Sequence, residues 1–536
     1  MTRVLVVGSG PSGVHFAQQA LSRGHEVTLL DVGYPKPDAV APDATFDGLK
    51  TAIADPAGYF LGEEGEGVVY PSTHPSYYGH PPSKQYVFRI PDGFKVRSNS
   101  MEALFSFARG GLAEAWTGGS YAFNDIDLAD FPFSYADIRP YYAEVARRIG
   151  IGAGDDDLAR FIPFEAEYLE PLPLDPHSAR LVARYARRRE RLNRELGFYL
   201  GRSRVAVLSR DHAGRRGCGQ LGRCLWGCPT GSIYTPSATL KECLTQPGFR
   251  YVPGVLVSHF EYAAGGSITR MVGRQVPDGD RVEFEAERYV LAAGALPTSK
   301  IVLDSLFHAT GRVESLGGLM DNRQVHVPFL TPAMLGQPVN TASYQYHHLA
   351  FGLTRPDPKE YVHAQITTLK SASVHPIVQS LPLDFRGATA IFRALRAGLG
   401  IANVNLHDTR RPESRVTIQP ISGTDRTELV LDYLDDPTEA GRMTDALRQV
   451  KRALAQLGCI VPPGMTRVLP KGASVHYSGT LPMTAAPAPL TCDANGRSRD
   501  FPNLYIADGA GFPFLPAKNL TFTLMANAAR MANRLD

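Results

Sequence analysis

The first thirty-one residues follow a hydrophobic pattern that predicts a strand, a turn, a helix and a second strand. Residues 4–7 are Val-Leu-Val-Val, a run typical of a strand buried on both faces of a sheet. Glycines crowd residues 8–13, and a helical pattern follows over 14–24. Residues 25–31 then form a second apolar run that ends in Asp31. This order indicates a βαβ unit built on parallel strands.

The glycines of this unit have the spacing G-x-G-x-x-G, at Gly8, Gly10 and Gly13. In a βαβ unit the first glycine permits a tight turn, the second lets the backbone approach a pyrophosphate, and the third lets helix and strand pack closely. The free amides of the helix start favour the phosphate charge. Asp31 is placed to accept hydrogen bonds from an adenosine ribose, and its charge argues against a 2′-phosphate. The segment therefore predicts binding of FAD or NAD, and the motif alone does not choose between them.

Beyond residue 33 the pattern is interrupted, which predicts insertions. Residues rich in Pro, Gly and Tyr show little periodicity, a mixture of helices and loops follows, and short strand-like segments then alternate with turns. We therefore divide the chain into a nucleotide-binding domain at 1–300 with insertions at about 34–100 and 130–205, a second domain at 301–465, and a return segment at 466–536.

Composition and charge narrow the classes of function. The 536 residues are 43% hydrophobic and 20% charged, as in a folded soluble protein. Lys and Arg number 56 against 53 Asp and Glu, so a net charge of +3 gives no electrostatic argument for a nucleic-acid or membrane partner. No apolar stretch approaches the roughly 20 residues that span a bilayer, and the N-terminal segment does not resemble a secretory signal. We expect a cytoplasmic protein with neither kind of partner.

Three segments near the C-terminal end complete a more specific pattern. Residues 476–483 are HYSGTLPM, residues 503–509 are NLYIADG, and residues 519–526 are NLTFTLMA. Together with the N-terminal glycines, these segments resemble the glucose–methanol–choline (GMC) family of FAD-dependent oxidoreductases. The resemblance extends more loosely to the glycine stretch at 110–119 and leaves much of 300–410 unmatched.

The resemblance implies an α/β fold, in which an FAD-binding, Rossmann-like domain is interleaved with an α+β substrate-binding domain built on an antiparallel sheet. It implies FAD as the cofactor, bound non-covalently because no histidine is marked as a covalent link, and no metal in the active site. It places the catalytic roles on His476 and Asn519. The cofactor-binding residues implied by the glycine motif and by the resemblance are Gly8, Gly10, Gly13, Asp31, Gly111, Trp116, Thr117, Val257, Ala293, Asp508, Asn519, Leu520 and Thr521.

The chemistry of alcohol oxidation agrees with the two catalytic positions. Hydride transfer from a CH–OH carbon to flavin N5 needs a base for the hydroxyl proton, and histidine, with an ordinary pKa of about 6.5, suits this role. An Asn amide donates a hydrogen bond to the developing alkoxide without adding charge. We therefore expect His476 to be the general base and Asn519 the alkoxide hydrogen-bond donor, with kcat/KM falling on the acid side. The alternatives are that His476 is a structural residue and that Asn519 is only the N-cap of a helix.

A cluster of cysteines gives a second hypothesis for cofactor binding. Cys218, Cys224 and Cys228 lie within eleven residues, and Cys228 is followed by proline, as in some iron–sulfur proteins. Most clusters need four ligands, and the same region of other GMC members is a structural loop. An iron–sulfur cluster at these three cysteines is therefore an open possibility that the sequence does not favour.

The leading functional hypothesis is an FAD enzyme that oxidises a CH–OH group of a small-molecule alcohol. The substrate is expected to be a sugar, glycoside or cyclitol, because aromatic residues such as Tyr77, Tyr78 and His80 can stack on a sugar face. The alternatives are a sterol-like apolar alcohol, a flavin and iron–sulfur electron-transfer subunit, and a non-redox flavin-binding scaffold. The electron acceptor, oxygen or a redox carrier, is not determined by the sequence.

Overall fold

The structure of the protein is a computed structural model. It describes residues 1–71, 79–165, 167–277, 279–370, 378 and 381–535.

The described chain contains both helices and strands throughout its length. The strands are β1 (Arg3–Val7), β2 (Glu26–Leu30), β3 (Lys95–Ser98), β4 (Phe198–Arg202), β5 (Phe249–Val252), β6 (Val255–Tyr262), β7 (Ile268–Gln275), β8 (Arg281–Phe284), β9 (Arg288–Leu291), β10 (Ser315–Gly317), β11 (Met320–Asp321), β12 (Arg323–Leu330), β13 (Leu349–Leu353), β14 (Val362–Thr368), β15 (Leu399–Leu406), β16 (Asp408–Thr409), β17 (Arg415–Pro420), β18 (Thr427–Asp432), β19 (Arg467–Val468), β20 (Tyr477–Ser478), β21 (Leu504–Ile506) and β22 (Phe514–Leu515). The α-helices are α1 (Pro11–Ser22), α2 (Leu49–Ala52), α3 (Pro56–Leu61), α4 (Tyr135–Ile149), α5 (Pro176–Leu196), α6 (Pro236–Cys243), α7 (Ala295–Thr310), α8 (Phe385–Leu395), α9 (Glu439–Gln456) and α10 (Thr521–Asn533).

A five-stranded parallel sheet joins the two ends of the chain. Its order is β21–β9–β1–β2–β5, so β21, near the C-terminal end of the chain, lies two places from β1. The β1–α1–β2 unit is the one that the glycine pattern predicts. Helix α10 packs on α1, and the strands are buried among apolar side chains, as is usual for parallel strands covered by helices.

The second large sheet is antiparallel and has six strands, in the order β19–β12–β15–β14–β13–β4. One face is apolar, with side chains such as Val325, Val404 and Ile366, and it packs on helices α5 and α9. The opposite face is polar. Strand β4 and helix α5 come from the insertion expected at 130–205, so this sheet recruits residues from outside 301–465.

Smaller sheets complete the fold. They are a four-stranded sheet, β10–β17–β18–β3, a three-stranded sheet, β6–β7–β8, and two pairs of short strands. The parallel sheet with helices, combined with the antiparallel sheet, confirms the predicted α/β fold class. None of the helices in the described ranges combines the length and the apolar character needed to cross a membrane.

Candidate active site

One cleft of about 800 Å³ is lined by residues from both chain ends and from the polar face of the six-stranded sheet. His476 and all the residues that the sequence assigns to cofactor binding, except Gly13, line it. Gly13 packs against the glycine turn instead, and an added Cβ there would fall 1.9 Å from the carbonyl oxygen of Gly8. The fold thus brings segments that are far apart in sequence to one cleft.

The glycine turn has the shape that a bound dinucleotide needs. Gly8 has φ of 101°, and a Cβ there would lie 2.5 Å from the carbonyl oxygen of Ala292, so only glycine fits. A Cβ on Gly10 would meet nothing within 4 Å; it would occupy open space in the cleft. Helix α1 begins at Pro11 with no side-chain cap and no acid in its first turn. Its first amides are therefore available to an anion.

Asp31 lies partly buried beside this turn. Its carboxylate accepts hydrogen bonds from Ser9 Oγ and, at 3.3 Å, from the Tyr251 hydroxyl. Burial raises the pKa of Asp31 to about 7, against the lowering effect of these hydrogen bonds. Ser9 Oγ also accepts a hydrogen bond from the amide of Gly110 at 2.9 Å, which ties the first turn to the glycine stretch at 110–119. A partly buried carboxylate with room for further donors suits the hydroxyls of a ribose.

Asp508 lies at the start of helix α7. It accepts hydrogen bonds from the amides of Gly294 and Ala510, both at 3.0 Å, and from the Thr298 hydroxyl at 2.5 Å. Burial raises its pKa to about 6. The carboxylate holds the C-terminal segment against the strand end that carries Ala293, so two parts of the cleft wall are fixed to each other.

The imidazole of His476 is held in one tautomer by Asn322. Nδ1 of His476 lies 2.9 Å from Oδ1 of Asn322. The Asn322 amide nitrogen donates to the carbonyls of Leu406 at 2.9 Å and Pro516 at 3.1 Å. Its oxygen must therefore face the imidazole, Nδ1 must carry the proton, and Nε2 has a free lone pair. Burial lowers the pKa of His476 to about 4, so the ring is neutral at neutral pH.

Asn519 lies beside that lone pair. Its Nδ2 is 3.4 Å from Nε2 of His476, and its Oδ1 accepts a hydrogen bond from Nε2 of Gln365. Helix α10 begins two residues later, at Thr521, with Leu520 at its N-cap position and no side-chain cap. Asn519 is thus not an N-cap, and Gln365 turns its amide nitrogen towards the histidine.

Lys518 anchors the segment that carries Asn519. Its buried ammonium group pairs with Asp127 and donates to the carbonyls of Ala122 at 3.3 Å and Phe161 at 2.6 Å. A buried lysine of this kind is stable only where it is paired and hydrogen-bonded. The contact fixes the backbone next to the Asn519 side chain.

The polar face of the six-stranded sheet supplies site residues that the sequence analysis missed. Alternation along the strands was the available signal: polar and apolar residues alternate in RQVHV, VHAQIT and ANVNL, and the polar ones share a face. The cleft-lining members are Gln324, His326, Gln365, Thr367 and Asn403. No motif marks amide residues of this kind, and Asn322 was missed for the same reason.

The structure bears on two further hypotheses, an iron–sulfur cluster at the cysteines and sugar stacking by the aromatic residues. Cys218, Cys224 and Cys228 are free thiols packed around an apolar cluster. Within the described residues no group of three His, Cys, Asp or Glu side chains is placed to hold a metal ion, so the iron–sulfur hypothesis receives no support. Tyr77 and Tyr78 lie outside the described residues. His80 lines the cleft but stacks on Phe88, with ring centroids 4.6 Å apart.

Comparison with known proteins agrees with the geometry. Residues 410–528 match the family model of the GMC oxidoreductases. The 6'''-hydroxyparomomycin C oxidase of Streptomyces lividus is 25% identical, over 99% of this chain and 91% of its own length. The paromamine 6'-oxidase of Streptomyces fradiae is 24% identical, over 99% of this chain and 90% of its own length.

Solved structures share the fold along the whole chain. The pyridoxine 4-oxidase from Mesorbium loti superposes with a TM-score of 0.62 at 17% identity, covering 100% of this chain and 99% of that one. The formate oxidase of Aspergillus oryzae RIB40 superposes with a TM-score of 0.62 at 12% identity, covering 99% of this chain and 98% of that one. Residues 410–528 thus match the GMC oxidoreductase family, and the chain as a whole is similar to the two oxidases along its length and shares its fold with the two solved oxidase structures.

Proposed function

We propose that this protein is an FAD-dependent oxidoreductase that converts a CH–OH group of a small-molecule alcohol to a carbonyl. The observation that carries the proposal is the pairing of Nε2 of His476 with Nδ2 of Asn519, 3.4 Å apart, in the cleft that also contains the dinucleotide-type glycine turn. A base and a hydrogen-bond donor converge there on the space that a substrate hydroxyl would occupy.

The residues of the cleft fit FAD. The open space over Gly10 and the uncapped start of helix α1 suit a pyrophosphate, and the partly buried carboxylate of Asp31 suits a ribose. Residues 1–300 and 466–536 would form the FAD-binding domain, with 301–465 as the substrate-binding domain that covers it. When bound, FAD supplies the hydride acceptor.

His476 acts as the base. Its Nε2 takes the proton of the substrate hydroxyl, while the carbon loses its hydrogen with the bonding electron pair and becomes the carbonyl carbon. Because Nδ1 is occupied by Asn322, the ring needs no rotation or tautomer change before it accepts the proton. Burial keeps the ring neutral, which is the form that a base requires.

Asn519 stabilises the charge that appears as the proton leaves. Its amide nitrogen has two hydrogens and can donate one to the developing alkoxide. The Gln365 hydrogen bond holds the oxygen of the amide away from that alkoxide. A fixed, uncharged donor in a buried site stabilises such a charge without moving at the moment of reaction.

A polar alcohol is the substrate that the cleft favours. The polar face of the six-stranded sheet presents amides and imidazoles to it, and these groups would lose hydrogen bonds against an apolar alcohol such as a sterol. The two curated relatives are named as oxidases of paromamine and 6'''-hydroxyparomomycin C, which are sugar-based molecules. We therefore infer a sugar, glycoside or cyclitol.

An anaerobic screen of alcohols tests the proposal. The purified holoprotein is mixed with polyols, glycosides, cyclitols and sterols without oxygen, and loss of the oxidised flavin absorbance is recorded. We expect bleaching by at least one polar alcohol and none with His476→Ala, which should remain loaded with flavin. Readmission of oxygen then shows whether oxygen or a redox carrier is the electron acceptor. Protein without flavin, or flavin that no alcohol bleaches, would overturn the proposal.

A further inference from the structure

Two cross-strand rows of polar side chains lie on the face of the six-stranded sheet that is opposite its helices. Residues directly opposite each other in adjacent antiparallel strands are neighbours on one face. The strand register places the first row as Gln324, Asn405 and His363, and the second as His326, Asn403 and Gln365. All three members of the second row line the cleft.

The second row adjoins the reacting groups. Gln365 donates to Asn519, whose amide nitrogen lies 3.4 Å from Nε2 of His476. A substrate with its reacting hydroxyl at this pair would therefore extend its other groups along the row, over Asn403.

Several polar atoms in these rows are buried and have no hydrogen-bond partner within the described residues. They are Oδ1 of Asn403, both amide atoms of Asn405 and Nε2 of His363. Burying a polar atom without a partner is costly, so the oxygen of Asn403, which lines the cleft, indicates a ligand or ordered water that satisfies it. Asn405 and His363 are fully buried and are not among the residues that line the cleft. Amide oxygen and nitrogen suit a hydroxyl, which both donates and accepts.

The carboxylates that line the cleft lie away from the six-stranded sheet. In the described part of the chain its carboxylates are Asp31, Asp92, Asp304, Asp425 and Asp508. Asp304 lies on helix α7, and the other four lie in loops next to β2, β3, β18 and β21. None of these elements belongs to the six-stranded sheet. Of the residues outside the described ranges, only Asp278 and Asp536 are acidic, and neither position lies in the sequence of the six-stranded sheet.

The cleft also contains a buried ammonium group. Lys84 is 6% exposed, and its Nζ donates to the Tyr346 hydroxyl at 3.0 Å. A substrate that carries ammonium groups would meet this like charge and no carboxylate on the sheet. The desolvation of its own charges would then be uncompensated.

We propose that the second row, together with Gln324 of the first, forms a recognition surface for an uncharged polyhydroxy ring, and that the site discriminates against amino sugars. This inference rests on the proposed function, because it assigns the substrate class of the same site. It separates this protein from relatives whose named substrates are aminoglycosides.

The first test compares a neutral sugar with the derivative in which an ammonium group replaces one hydroxyl. Methyl α-D-glucoside is compared with its 2-amino-2-deoxy counterpart in anaerobic reduction of the holoenzyme. The kcat/KM of the neutral member should exceed that of the amine by at least tenfold. Binding to holo His476→Ala, measured by calorimetry, should show the same order without turnover.

The second test changes the charge of the row. Asn403→Asp is nearly isosteric and adds one carboxylate, so it should shift the ratio of kcat/KM towards the amine by at least tenfold. Asn340→Asp, on the exposed surface, is the control that should leave the ratio unchanged, and thermal unfolding of both variants verifies the fold. Equal use of neutral and amino members by the native enzyme, or an unchanged ratio in Asn403→Asp, would overturn the inference while the proposed function stands. If only apolar alcohols reduce the flavin, the inference also fails; if no alcohol reduces it, the proposed function fails.

Discussion

Oδ1 of Asn322 lies 2.9 Å from Nδ1 of His476, and this contact determines which nitrogen of the imidazole faces the cleft. The Asn322 amide cannot be reversed, because its nitrogen already donates to two backbone carbonyls. Histidine chemistry depends on the tautomer, and here a neutral amide fixes it.

Replacing Asn322 should lower the rate more than the substrate affinity. Asn322→Leu removes the acceptor for Nδ1, so the ring can change tautomer and rotate, and kcat should fall about 100-fold with little change in KM. Two carbonyls also lose a donor, which should cost about 1–3 kcal/mol of unfolding free energy. Steady-state kinetics and urea unfolding measure both effects.

Asn322→Asp is the matched control for that variant. Like Asn322→Leu it loses the donor to the two carbonyls, but it keeps an acceptor for Nδ1 and adds a negative charge. It should therefore retain more activity than Asn322→Leu and move the acid limb of kcat/KM to higher pH. Equal activity in the two variants would show that Asn322 does not act through the histidine tautomer.

The pH dependence should reflect the burial of His476. The base works only when it is unprotonated, and burial lowers its pKa to about 4. The value of kcat/KM should therefore be nearly constant above pH 5 and fall about tenfold per unit below pH 4. This differs from the sequence expectation of a limb near the ordinary histidine value, since the sequence does not show burial.

Measurement from pH 3.5 to 9 checks this, with tryptophan fluorescence recorded in parallel to separate protonation of the base from acid unfolding. A limb centred between pH 6 and 7, with the protein still folded, would contradict a buried neutral base.

The sequence was informative where the relevant groups are close together in the chain. The turn at Gly8, Gly10 and Gly13 and the acid at Asp31 lie within one βαβ unit, and its strands and helix formed as the pattern predicts. Local spacing is enough there, because the turn, the helix start and the strand end are built by neighbouring residues.

The amide residues of the site could not be found in this way. Gln365 meets Asn519 across 154 positions of sequence, and Asn322 meets His476 across the same separation. These contacts depend on the register of the antiparallel strands, which sequence pattern sets only through the alternation of polar and apolar residues. His476 and Asn519 themselves were identified by family resemblance and not by periodicity.

Replacement of Asn519 should affect the step in which charge develops. Asn519→Ala removes the donor, and kcat should fall by about 100- to 1,000-fold, as for loss of a single donor to a developing oxyanion. Asn519→His supplies an N–H donor of different shape and should recover part of the rate. Rapid anaerobic reduction of the flavin measures the step directly. A loss confined to KM would assign Asn519 to substrate binding alone.

Asp31 should control the affinity for FAD. Asp31→Asn keeps the size of the side chain but removes its charge. A hydrogen bond from a ribose hydroxyl to a charged group contributes about 1.5–3 kcal/mol to the binding free energy. The dissociation constant of FAD should therefore rise by roughly 10- to 100-fold, measured by reconstitution of the apoprotein. Asp92→Asn, at an exposed position that also lines the cleft, is the control and should change the constant by less than about threefold. Unchanged FAD affinity in Asp31→Asn would place the ribose elsewhere.

Lys518 should stabilise the fold and the site together, because its ammonium group is fully buried against Asp127 and lies next to Asn519 in the chain. Lys518→Met leaves the Asp127 carboxylate buried and unpaired, and the unfolding free energy should fall by about 3–5 kcal/mol. The double variant Lys518→Met with Asp127→Leu removes both charges and should recover much of that loss, which a double-mutant cycle on urea unfolding measures. If the recovered variant also regains flavin reduction, the pair acts through stability; if its kcat stays at least tenfold low while the fold is restored, the pair also positions the Asn519 amide. Additive losses in the cycle would show that the two groups are not coupled.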